Sequence, residues 1–264
     1  MGKKQTRIVT AVWIIGIILV WELLSFLLKY AIHDSMASAK LPPPHDIVIT
    51  FIMNWKTLLE AGAVTFSRAV VGFALGAGVG ILLAVILSLS KTMERIAFPY
   101  LIVSQMIPVL GLAPIIFNIV RDMNLSRIVI AAYITFFPVS VNMLSGLKSV
   151  EQDKKDLLFS IAASKYNVYY KLMFPFSMTY LFTGLKIAAP LAVTASILVD
   201  MLGSKSGIGV KILYSLYSNA NSIFWASVVT SAFMGILSYY LVVFAEKILL
   251  PWQNASTGKE GVRT

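Results

Sequence analysis

The sequence predicts an all-α, polytopic membrane protein with six transmembrane helices and a folded cytoplasmic loop, and three observations carry that prediction. Of the 264 residues, 58% are hydrophobic and only 13% charged, with a mean hydropathy of +0.81. Water-soluble domains are about a quarter charged. Stretches of about 20 mostly apolar residues recur along the chain, the length a helix needs to cross hydrocarbon with its backbone groups satisfied internally. Between the fourth and fifth of them lies DLLFSIAASKYNVYYKLMFPFS, residues 156–177, polar enough for water yet spaced like two short helices.

The six spans are read at 8–28, 63–89, 98–120, 128–147, 179–202 and 223–250. The first is retained rather than cleaved: Ala37-Ser38-Ala39 fits a small-x-small cleavage pattern, but the apolar run before it is longer than a signal core and the triplet lies too far downstream. An even number of spans puts both termini on one side. Thirteen of the 22 basic residues, among them Lys3, Lys4, Arg7, Lys91, Lys154, Lys155 and Lys247, lie on the side of the termini, while Lys29, Lys40, Lys56, Arg121, Arg127, Lys205 and Lys211 lie on the other. Both termini and the loop after the fourth span are therefore expected in the cytoplasm. The resulting division is a cytoplasmic N-terminus with the first span (1–28), an external segment (29–62), a five-helix core (63–250) with a cytoplasmic loop at about 150–178, and a cytoplasmic tail (251–264).

The second span carries Gly72, Gly76 and Gly80, four apart on one helix face, which reads as a seam for close helix packing. The third and fourth carry Gln105, Pro108, Pro114, Asn118, Thr135, Pro138 and Asn142. Prolines free backbone carbonyls and amides in lipid need partners, so these helices are candidates to line a pathway. Glu22 in the first span and Asp200 near the outer end of the fifth are the acidic residues noted inside lipid, and Asp200 joins the pathway candidates. Lys186, less than two turns into the fifth span, is expected to snorkel to the headgroups.

The net charge of +10 follows from loop lysines and arginines that topology demands, so it does not point to nucleic acid. No G-x-x-x-x-G-K-[ST] occurs, GLKS at 146–149 being a fragment, so the chain lacks a phosphate cradle. No Ser-His-Asp set is visible, the two histidines, His33 and His45, form no ligand cluster, and there is no cysteine. No catalytic residue, metal site or cofactor is expected in this chain.

The loop reads as a helix through Asp156, Leu157, Leu158 and Ile161, a break at Ala162, Ala163 and Ser164, and a second helix through Tyr166, Tyr169, Tyr170 and Met173 that Pro175 ends. Ser164 is placed to cap the second helix. Its apolar residues call for burial against membrane helices or in a groove on another protein.

At these residues the sequence resembles the inner-membrane permease subunits of binding-protein-dependent ABC importers. That family's cytoplasmic loop begins Glu-Ala-Ala, has a glycine four positions on, and closes in Ile-x-Leu-Pro. With Pro175 as anchor, Asp156, Leu157 and Leu158 take the first places, Ala162 the glycine place, and Leu172, Met173, Phe174 and Pro175 the last four. LPPPHDIVITF, FSRAVVGFALG, GLAPIIF, FFPVSVNMLSGLKSV, FTGLKIA and DMLGSKSGIG add to the likeness, in the family's order, to the branch importing nitrate, taurine, alkanesulfonates, thiamine-precursor pyrimidines or riboflavin.

The resemblance implies that the loop is a coupling helix, with Asp156, Leu157, Leu158, Ile161, Ala162, Ala163, Ser164, Tyr166, Tyr169 and Pro175 meeting a cleft on an ATP-binding subunit, which holds the ATP and magnesium. It also implies a second permease subunit, identical or not, and an external solute-binding protein docking near Leu41 to Asp46 and Gly203 to Gly209. The substituted loop identities raise a pairing with a non-identical permease. The rival classes are a stand-alone secondary carrier or channel and a membrane scaffold.

Overall fold

In a computed structural model, residues 3–31 and 40–251 are described. The Ala37-Ser38-Ala39 triplet, His33 and the tail beyond Pro251 lie outside them. Among the described residues the chain is helical throughout: α1 (Lys3–Phe26), α2 (Pro44–Met53), α3 (Trp55–Leu89), α4 (Lys91–Met106), α5 (Val109–Val120), α6 (Met123–Lys148), α7 (Gln152–Ser160), α8 (Lys165–Val168), α9 (Phe174–Met201), α10 (Ile208–Tyr217) and α11 (Asn221–Leu249). Wide π-type turns at Leu27–Ala31 and Tyr169–Met173 extend α1 and join α8 to α9.

Five helical stretches are long and apolar enough to cross a membrane, the fourth running unbroken from Lys165 to Met201, and a sixth crossing exists only if α4 and α5 are taken together. These two are bent by 95°. The sequence reading of 98–120 as one span therefore stands only for a bent crossing, not for a continuous helix. Pro108 has no N–H for the helix ladder and drives the residue before it out of the helical region, so Ile107 is extended at φ −75°, ψ 121°. Pro99, Pro114 and Pro138, by contrast, lie inside helices.

α6 is the centre of the bundle, packed between α3 and α9. A Cβ added to Gly72 would lie 2.8 Å from the Ile128 carbonyl, one on Gly76 2.7 Å from the Thr135 Cβ, and one on Gly80 2.7 Å from the Phe136 carbonyl. The three glycines thus let α3 lie backbone to backbone on α6, and Ser140 Oγ donates to the Gly80 carbonyl at 3.0 Å across that contact. On the other side of α6, Gly184 of α9 lies against the Pro138 carbonyl. At the elbow end of the bundle a core of Ala84, Leu87, Leu101, Met143, Leu144 and Leu147 joins α3, α4 and α6.

α1 stands apart. Its apolar residues, Trp13 and Ile17 among them, are exposed over nearly its whole length. It is held at one end, where Trp21 Nε1 donates to the Pro42 carbonyl (3.1 Å), Ser25 Oγ to the Leu41 carbonyl (2.8 Å), and Glu22 meets His45 Nδ1 at 2.7 Å.

Candidate functional site

The elbow is built as two helices at an angle. α7 has no buried residue and leaves Leu157 (66%) and Ile161 (71%) open. Gln152 Nε2 donates to Asp156 Oδ1 at 2.8 Å, and Lys154 sits over the Phe176 ring at 5.9 Å, drawing α7 toward α9. The break falls at Ala162 and Ala163, and Ser164 Oγ accepts from the Asn167 amide at 3.2 Å as the cap of α8. Tyr166 and Tyr170 stack on the open side with centroids 6.0 Å apart, and the row continues at 6.4 Å to Phe174, which is half-buried against the elbow-end core. On the inner side Val168 is buried, and Tyr169, which the resemblance set among the residues meeting the ATP-binding subunit, packs instead on the elbow-end core, away from the open face.

Ala162 adopts φ +60°, the left-handed conformation in which a side chain carries a steric penalty and glycine none. The amides of Ala162 and Ala163 donate back to the Phe159 and Leu158 carbonyls, closing the end of α7. Ala162→Gly is therefore expected to stabilise the local fold by about 1 kcal/mol, checked by slower amide exchange across α7 in the glycine variant.

Pro175 does not end the second helix, which is a correction to the sequence reading: the chain passes through it into α9, where it takes an early position. The reason lies in the turn before it. An α-helical path would drive the proline ring against the Lys171 carbonyl, and the π-type widening over Tyr169–Met173, marked by the Phe174 amide donating to the Tyr169 carbonyl, opens the turn that contains it.

The pathway candidates divide by exposure. Gln105, Pro108, Pro114 and Asn118 are exposed on α4 and α5, around the 95° bend, while Asn142 is half-buried and donates to the Pro138 carbonyl at 2.7 Å. Thr135 and Asp200 are enclosed by the chain's own helices, which takes them off any open surface. Thr135 donates to the Ala131 carbonyl at 2.7 Å.

Asp200 belongs to a polar cluster at the end of the bundle opposite the elbow. Arg127 Nε lies 2.9 Å from Asp200 Oδ1, both side chains being almost wholly buried. Thr65 Oγ1 donates to Asp200 Oδ2 at 2.5 Å and accepts from the Ile208 amide at 2.9 Å. Arg127 Nη2 reaches the Ser206 carbonyl at 2.9 Å and also donates to Ser204 Oγ. The cluster thereby fastens α3, α6, α9 and the 203–207 loop, and Gly207, at φ +125° with Asp200 Cγ 2.5 Å from where a Cβ would stand, has room for no side chain. Sequence reasoning placed Arg127 in an external loop and missed this pairing; the available signal was an arginine at the edge of an apolar span with an aspartate near the same depth.

Lys186 is likewise corrected. It donates to both carboxylate oxygens of Glu246 at 3.0 Å, tying α9 to α11 rather than reaching for headgroups. Glu246 lies inside the last predicted span and was not among the acidic residues singled out. Among the described residues no group of three or more histidine or acidic side chains gathers to hold a metal.

The family model described as binding-protein-dependent transport system inner membrane component matches residues 76–253. A formylaminopyrimidine transport permease protein, ThiX, of Halalkalibacterium halodurans is 31% identical over 215 residues, covering 81% of this chain and 86% of the relative. A putative aliphatic sulfonates transport permease protein, SsuC, of Bacillus subtilis is 26% identical over 249 residues, covering 92% and 86%. Among solved structures, an amino acid ABC transporter superposes with a TM-score of 0.62 at 12% identity, over 75% of this chain and 97% of that one, a likeness of fold alone.

Proposed function

The chain belongs to the family of binding-protein-dependent transport system inner membrane components, and from that membership we propose that it builds, with a second permease subunit, the pathway for a small organic solute and is driven through its elbow. As a permease of an ABC importer it is a multi-pass transport subunit and not an enzyme; ATP hydrolysis belongs to separate ATP-binding subunits, and an external binding protein delivers the solute. Membership in this family speaks for an importer with its own ATPase rather than for a stand-alone carrier.

The observation that carries the proposal is the elbow's open face. Leu157, Ile161, Tyr166 and Tyr170 are 60–73% exposed, on an element whose other side is anchored by Val168 and Tyr169. Apolar and aromatic side chains displayed on a rigid support are what a partner's cleft needs, because little entropy is lost when they are covered. The elbow and both termini are proposed to be cytoplasmic. Docking of the external binding protein is proposed on the opposite face, at Leu41 to Asp46 and Gly203 to Gly209, and Gln105, Pro108, Pro114, Asn118 and Asn142 are proposed to face the pathway. The solutes named for the two relatives, a formylaminopyrimidine and aliphatic sulfonates, fit a lining of neutral amides and apolar groups.

Purification of the tagged protein from its native membranes in mild detergent, beside a variant with 156–170 replaced by a glycine-serine linker, tests the proposal. A Walker-motif ATPase is expected with the unaltered chain and is expected to be lost from a variant that still elutes as a single folded species. An ATPase retained by the linker variant would refute the elbow as the coupling element. A second, different permease in the same eluate would identify a hetero-pair, and its absence beside two copies of this chain a homodimer.

A further inference from the structure

The elbow touches the bundle at a place that decides where its movement goes. Tyr169 OH and Ser88 Oγ are 2.9 Å apart, and Ser88 Oγ also lies 2.7 Å from the Val85 carbonyl. A serine hydroxyl has one proton, and the carbonyl can only accept, so Ser88 donates to Val85 and the Tyr169 hydroxyl donates to Ser88. The bond joins the first residue of the π-type turn to the last turn of α3.

Two residues beyond Ser88 the chain turns at Ser90, whose Oγ caps α4 by accepting from the Met93 amide. The first turn of α4 is tied in turn to the last turn of α6 by the Glu94–Lys148 ion pair. At its far end α4 meets the 95° bend, where the Tyr133 hydroxyl of α6 donates to the Ser104 carbonyl. α7, by contrast, meets α9 through Lys154 over Phe176, and α9 is already continuous with the elbow. A displacement of the elbow therefore reaches α9 through the backbone and reaches α3 and α4 through Tyr169.

We propose that Tyr169 is a positioning residue of the transport cycle, its hydroxyl holding Ser88 so that movement of the elbow is carried to the α3–α4 joint and along α4 to the bend at Ile107–Pro108. The π-type turn, held wide by Pro175, is where the elbow's helix passes into α9, and single π-type turns of this kind occur frequently at functional sites. The proposal rests on the reading of the elbow as the ATPase-coupling element.

The test uses the complex reconstituted with its ATP-binding subunits. The chain has no cysteine of its own, so Met106→Cys, an exposed site beside the bend, reports there alone within this subunit. Its rate of modification by a polyethylene-glycol maleimide, seen as a gel shift of this subunit, is compared without nucleotide and after trapping with ATP and vanadate. The two rates are expected to differ in the parent, and Tyr169→Phe and Ser88→Ala each to shrink their ratio about five- to tenfold, the effect of losing one hydrogen bond from one of two states.

The double variant is expected to do no more than either single one, and Ser88→Thr, which keeps the hydroxyl, to retain the ratio. ATPase co-purification is expected to be unchanged in all of them, which separates a fault in transmission from a fault in docking. A ratio unmoved by Tyr169→Phe, additive effects in the double variant, or equal rates in the parent would each overturn the role of Tyr169 while leaving the elbow as a docking element. Absence of the ATPase from the parent complex would instead overturn the elbow reading and this inference with it.

Discussion

Asp200→Ala is expected to destabilise the protein by about 3–5 kcal/mol, since removing one partner of a buried ion pair leaves the other charge uncompensated away from water. The expectation is specific because Arg127 is 1% exposed and its nearest carboxylate is Asp200 Oδ1 at 2.9 Å. Arg127→Ala is expected to cost a similar amount, leaving a buried carboxylate with the Thr65 hydroxyl and the Gly209 amide as its hydrogen-bond donors. The pair acts as a unit, so Arg127→Leu combined with Asp200→Leu is expected to cost well under the sum of the single changes. The fraction of detergent-solubilised protein that survives heating as a monodisperse peak in size-exclusion chromatography measures all three. Equal survival of Asp200→Ala and the parent would show that the pair contributes nothing to holding α3, α6 and α9 together.

The second large effect concerns the seam between α3 and α6. Gly76→Ala would set a methyl group 2.7 Å from the Thr135 Cβ and 2.8 Å from the Ala132 Cα, in contact with backbone that has no rotamer to yield. Overpacking of this kind costs about 1–3 kcal/mol for the methyl group, and Gly76→Leu is expected to prevent accumulation of folded protein. The control lies two residues along the same helix. Gly78 has nothing within 4 Å of where its Cβ would stand, so Gly78→Ala is expected to be neutral or to stabilise, alanine being the better helix former by up to about 1 kcal/mol. A ranking in which Gly78→Ala lowers thermal survival as much as Gly76→Ala would show that the penalty comes from helix flexibility and not from the contact.

What the sequence made legible follows from which forces act along the chain and which act across it. Hydrophobic length marked α1, α3, α6, α9 and α11, because the requirement that a crossing helix satisfy its own backbone is written residue by residue. The Ser164 cap is equally local. The α4–α5 bend was missed because apolar length says nothing of direction; Pro108 carried the signal, but Pro99, Pro114 and Pro138 show that a proline alone does not settle where a helix stops. Pro175 misled for the complementary reason: a wide turn ahead of it removes the clash that would end a helix. Arg127 with Asp200 and Lys186 with Glu246 are contacts over 73 and 60 residues of sequence, set by how helices meet. Charge position by itself could assign these side chains to loops or headgroups but not to each other.

The bend at Ile107–Pro108 also bears on the life of the subunit before it is assembled. At 1.5 Å per residue α4 reaches about 24 Å and α5 about 18 Å, each short of the roughly 30 Å of hydrocarbon. Folded at 95°, they present a notch, with interrupted backbone and the exposed Gln105 and Asn118 amides, where a straight helix would present a wall. Lipid cannot fill such a notch without leaving polar groups bare. Such a notch calls for a neighbouring protein surface or a solvated pathway in place of lipid. With the proposed second permease subunit covering the notch, a copy made without that partner is expected to be lost from the membrane faster than a paired one.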